Sequence, residues 1–72
     1  MIQKLKVNGL IVAQYEIKKE LFKSESGHVI NSLICFIHVE GNMSEQYIIN
    51  YIEQLESIKI THIGKLNIHS LN

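Results

Sequence analysis

The stretch Val29-Ile-Asn-Ser-Leu-Ile-Cys-Phe-Ile-His-Val39 decides the fold. It is the longest run of β-branched and large apolar residues in the chain, and it carries them on both parities. A strand of that kind is expected to be covered on both faces, so the other elements should be arranged around it. Polar punctuation bounds it, with Lys23-Ser-Glu-Ser-Gly27 before and Gly41-Asn42 after. The strand is expected from about His28 to Glu40.

Upstream, residues 10–22 form the second strand. Ile11, Ala13, Tyr15, Ile17 and Leu21 share one parity, and Gln14, Glu16, Lys18 and Glu20 hold the other. Counting outward from the turn at Lys23–Gly27 pairs Leu21 with Val29, Ile17 with Leu33, Tyr15 with Cys35, Ala13 with Ile37 and Ile11 with Val39. Those pairs are apolar, so the odd-numbered side is read as the core face. Residues 1–7 alternate as a first strand, with Leu5 and Val7 against Lys4 and Lys6. Asn8-Gly9 is a hairpin signal. A two-residue loop there would put the lysines on the face of Ile11 and Ala13. A three-residue loop, Val7-Asn8-Gly9, with a bulge at Gly9 avoids this by pairing Lys6 with Leu10 and Leu5 with Ile11.

Downstream, Ser44 reads as a helix N-cap. Met43 and Ile48 stand at hydrophobic-staple spacing, and Glu45 places negative charge in the first turn. Ile48, Tyr51, Ile52, Leu55 and Ile58 form one apolar stripe, so the helix is expected over 45–57. From Ile58 the period returns to two. Ile58, Ile60, Leu66 and Ile68 share a parity with His62 and Gly64 in a fourth strand, with a bulge or kink at Gly64.

The expected class is therefore α+β in the order β-β-β-α-β. It has a four-stranded, mostly antiparallel sheet with one helix packed on one face, in a single domain over residues 1–72. A right-handed crossover is satisfied by strand order 3-2-1-4, the fourth strand parallel to the first, while a place for the fourth strand beside the third is left open. That order of elements resembles the opening half of the ribonuclease-H fold and its partial version in HicB-type antitoxins. The resemblance lies in element order alone, with no diagnostic residue motif of either family in the chain.

Composition narrows the function. Seven lysines balance seven glutamates, and arginine, aspartate, proline and tryptophan are absent. Nucleic-acid readers lean on net positive charge and on arginine, so that class is disfavoured. One cysteine, Cys35, permits no internal disulfide and suits a reducing compartment, which points to a cytoplasmic protein. No apolar run is long enough to span a membrane, and Met1–Lys6 does not read as a signal peptide. His28, His38, His62 and His69 lack metal-ligand spacing, so neither a metal nor any other cofactor is expected. Cys35 falls among inward residues and behaves there as a small hydrophobe, so no catalytic residue is assigned.

The even-numbered face of the sheet is the informative surface. Leu10, Val12, Ile34, Phe36 and His38 are expected to point there as partner-binding residues, with Phe22 and Ile30 toward one end. Lys4, Lys6 and Lys18 share that face and are candidate contacts to phosphate or an acidic partner. The leading expectation is a non-enzymatic protein-binding module that is also homodimeric. It would be an inhibitor or adaptor of the antitoxin or phage anti-defence kind. The alternative is a nucleic-acid-binding module using the open sheet face, and a small histidine-dependent enzyme or metal protein ranks third.

Overall fold

The computed structural model describes residues 1–68. The elements run β1 (Gln3–Val7), β2 (Leu10–Lys23), β3 (Val29–Val39), α1 (Glu45–Glu56) and β4 (His62–Lys65). This is the expected β-β-β-α-β order in a four-stranded sheet, antiparallel except for one parallel pair.

The core lies between the odd-numbered side of the sheet and the helix. Leu5, Ala13, Tyr15, Cys35 and Ile37 from the sheet meet Ile48, Ile49 and Ile52 from α1. Ser44 caps the helix, its hydroxyl accepting from the Tyr47 amide at 3.3 Å. Ser57 ends it in the left-handed region at φ 56°, its amide donating to the Glu53 carbonyl. The stripe is rotated from the expected one. Ile49 is buried, while Tyr51 and Leu55 are exposed. Turning Ile49 inward buries an all-carbon side chain, whereas Tyr51 would bring a hydroxyl needing a partner. The rotation also sets Glu56 over Tyr15, whose hydroxyl donates to its carboxylate at 3.2 Å.

The strand order is 1-2-3-4, not 3-2-1-4: β4 lies parallel beside β3. The likeness to the ribonuclease-H order ends there. A helix of 12 residues returns the chain by only about 18 Å. In the adjacent lane the connection brings β4 parallel to β3 without passing over β2. Thr61 fixes the docking, its amide and hydroxyl both donating to the Leu33 carbonyl while its oxygen accepts from the Leu33 amide.

Both hairpin registers differ from the expected ones; parity is kept from Ala13 onward and along β3, and is inverted at Leu10 and Ile11. At β2–β3 the slip is two residues, giving Tyr15 opposite Ile37 and Ile17 opposite Cys35. The turn is tighter than counted. Ser24 pairs with His28, and Gly27 occupies the left-handed region at φ 86°. At β1–β2 the loop has two residues, Asn8 at φ 52° and Gly9 at φ 80°, closing Val7 against Leu10. The parity conflict is resolved farther along, where Val12 bulges out between the Lys6–Ile11 and Leu5–Ala13 pairs.

β1 reaches only to Tyr15, and β4 begins opposite Ile34. Past those points β2 and β3 continue as a two-stranded arm. It contributes to an elongated molecule of 47 × 28 × 20 Å.

Candidate functional site

Along β2 and β3 the even-numbered face presents Gln14 opposite His38, Glu16 opposite Phe36 and Lys18 opposite Ile34. No described element packs over this face as α1 packs over the other. Phe36 is its centre. The ring lies directly on Gly64 of β4, where a Cβ would sit 2.6 Å from Cδ1 and 2.7 Å from Cε1. Gly64 is thus required by the seat of the ring, not by its own backbone angles. The Lys18 ammonium stands 5.7 Å from the ring centroid, within cation–π range.

The charges here are mutually engaged. Lys18 approaches Glu16 at 3.4 Å, and the Met1 ammonium approaches the same carboxylate at 3.3 Å. The hydrogen bond from Met1, with its charge and Lys18 adding to it, holds the Glu16 carboxyl below its usual range. A phosphate at Lys18 would therefore compete with the Glu16 carboxylate. Lys4 and Lys6 are exposed on β1 and form no ion pair with a described residue. Lys4 stands opposite Gln14, so Glu16 intervenes between it and Lys18, and the three lysines do not form one patch.

The five expected partner-binding residues divide. Ile34, Phe36 and His38 are half-buried on the open face. Leu10 pairs with Val7, and unbroken alternation along β1 places both on the side of Leu5, so Leu10 leaves this face. Val12, the bulge residue, is half-buried and packs against the core. Ile11, expected inward, instead stands opposite Lys6 and is 38 % exposed. One displaced bulge accounts for all three corrections.

The arm is the larger feature. Leu21, Phe22, Val29 and Ile30 are 68, 47, 63 and 52 % exposed, and they occupy both of its faces. Phe22 pairs with Ile30 on the even side. The Phe22 ring tilts toward His62 of β4 with centroids 6.4 Å apart, and Ser32 of the intervening β3 is buried. The tip is locked by side chains. The His28 amide donates to Ser24 Oγ at 3.1 Å, Ser24 Oγ lies 2.9 Å from Ser26 Oγ, and Ser26 Oγ lies 2.8 Å from His28 Nδ1. A hydroxyl beside an imidazole is the start of a nucleophile–base pair. Here it stands on an exposed turn and serves to close that turn.

Two further histidines have local partners. His38 Nε2 lies 3.2 Å from Glu40, and His62 Nδ1 lies 3.0 Å from the Thr61 hydroxyl. His69 lies outside the described residues. Among the described residues no three His, Cys, Asp or Glu side chains gather as metal ligands. Burial, and then the charge of Glu45, pushes the Cys35 thiol up to about 11, which keeps it protonated and unreactive. No helix among the described residues is long and apolar enough to cross a membrane.

One surface escaped the sequence reading. Tyr47, Tyr51 and Leu55 are exposed along one flank of α1 at 63, 44 and 58 %. Their i, i+4, i+8 spacing is the signal for it, but Tyr51 and Leu55 are expected in the core stripe and Tyr47 is assigned to neither side. No family model matches the chain, and neither a curated protein nor a solved structure is significantly similar to it.

Proposed function

We propose that this chain is a non-enzymatic protein-binding module whose arm and open sheet face are buried against another protein chain. The exposure of Leu21, Phe22, Val29 and Ile30 on a two-stranded ribbon carries this reading. A ribbon of two strands is marginal in water without a third strand or a packed face. Contiguous apolar surface of this kind marks an interaction site. The small size of the domain adds to the argument, because short chains gain stability by association. A second copy is the first occupant proposed, and the homodimer then acts by covering a larger partner's surface. Steric inhibitors and adaptors, including antitoxins and phage anti-defence proteins, work in this way.

The nucleic-acid reading has less support. Lys18 is engaged by Glu16, and Glu20 shares its strand face.

The test uses Phe22→Asp and Ile30→Asp. Both side chains lie beyond the core, so circular dichroism should be unchanged. Light scattering should show the mass of the wild-type chain halved in each variant. Wild-type chain that is monomeric at high concentration, or variants that assemble as it does, would remove the proposal. Phe36→Asp is unsuitable, because it strips the ring from Gly64 and tests folding instead.

A further inference from the structure

We infer a second interaction surface, separate from the arm: the free edge of β1, roofed by the outer flank of α1, takes up an extended peptide segment as a fifth strand. The segment alternates apolar and acidic residues.

The edge is open because β1 is the outermost strand. Val7 closes the Asn8-Gly9 turn against Leu10, so the main-chain groups of Gln3, Leu5 and Val7 face β2. Those of Lys4 and Lys6 alternate to the outside. Their N–H and C=O groups are the pairing sites an added strand would use.

The roof follows from the helix rotation. Ile48 and Ile52 point into the sheet. About a quarter-turn to one side lies Glu53, whose carboxylate accepts from the Ile60 amide at 2.8 Å on the path to β4. Since β4 and β1 are opposite edges, the other flank of the helix, with Tyr47, Tyr51 and Leu55, looks toward β1. The helix reaches that far, because Leu5 on β1 is buried in its core cluster. A strand laid on the β1 edge would therefore set alternate side chains beside Leu5 and the half-exposed Val7, under Tyr51 and Leu55.

Charge selects the occupant. The other side of the added strand would lie beside Lys4 and Lys6, which have no ion-pair partner among the described residues. Acidic residues complement them. A second copy of β1 does not, because antiparallel self-pairing about Lys4, Leu5 or Lys6 sets lysine against lysine.

The probe is a terminally blocked eight-residue peptide alternating valine and glutamate, with the valine–lysine peptide as control. Both are titrated into the full chain by NMR. The acidic peptide should bind at least tenfold more tightly than the control. It should shift Tyr47, Tyr51 and Leu55 and slow amide exchange at Lys4 and Lys6 at least tenfold. The Lys4→Glu/Lys6→Glu variant should reverse the preference. Tyr51→Ala should weaken binding while leaving Leu5 and Ile52 shifts in place. No binding at millimolar peptide, equal affinity for both peptides, or shifts confined to the arm would overturn the inference. The proposed function is tested separately, by the mass of the Phe22→Asp and Ile30→Asp variants.

Discussion

Gly64→Ala isolates the contact that fixes β4 to the open face. The added Cβ would meet the Phe36 ring at 2.6 Å, so the ring must leave its seat beneath Lys18. Overpacking of this kind costs about 1–3 kcal/mol. Replacing a strand glycine returns about 0.5–1 kcal/mol. The net loss is up to about 2.5 kcal/mol, against a total stability of roughly 4–11 kcal/mol for a domain of this length. That corresponds to a fall in Tm of up to about 20 °C. In a Phe36→Ala background the ring is gone, and Gly64→Ala should become neutral or stabilising by up to about 1 kcal/mol. The double-mutant cycle should then show about 1–3 kcal/mol of coupling, well above the additivity error of about 0.5 kcal/mol. Urea unfolding followed by circular dichroism, with a constant m value, gives all four stabilities. If Phe36→Ala is too unstable to measure, Phe36→Leu shortens the ring and should relieve the clash in part. Equal penalties for Gly64→Ala with and without the ring would refute the reasoning.

Other expectations concern the caps, the turn and the buried protons. Ser44→Ala should lower stability by about 1 kcal/mol through loss of the bond to the Tyr47 amide, measured by the same unfolding assay. Gly9→Ala, at a left-handed position, should cost about 1–2 kcal/mol, whereas Asn8→Gly should be nearly neutral. Burial, then the charge and hydrogen bond of Glu56, pushes the Tyr15 phenol up to about 12 from 10.0. The fold favours its neutral form, so that contribution is complete below pH 10 and is lost as the pH rises through 12. Absorbance at alkaline pH should show the late ionisation, and Tyr15→Phe should remove it. Cys35 should react with a thiol reagent only as fast as the chain opens, so a native-state rate equal to that of a denatured control would contradict its burial.

Parity was the part of the fold most legible in sequence. Leu5, Ala13, Tyr15, Cys35 and Ile37 are inward because a strand face must be apolar over some length to pack on a helix, and that length averages out local errors. Register was less legible, because the same parity is compatible with slips of two residues. The choice between them lies in turn geometry at Ser24–His28 and in where a bulge forms. The bulge at Val12 removed Leu10 and Val12 from the expected surface, although their own residue types gave no warning of it. Strand order depended on a tertiary choice between two lanes for β4. The bond between Thr61 and Leu33 and the fit of Phe36 on Gly64 favour the nearer one, and neither contact has a signature in sequence. The exposed flank of α1 was hidden because Tyr51 and Leu55 fit an inward stripe as well as Ile49 does.

Solvent relaxation of methyl groups by a neutral gadolinium probe, followed against protein concentration, tests the central claim most directly. Ile37, Ile48 and Ile52 should be shielded at every concentration. Leu21, Val29 and Ile30 should be strongly relaxed in dilute solution and become shielded as the chains associate. Arm methyls shielded even in dilute monomer, or equally relaxed at all concentrations, would contradict it.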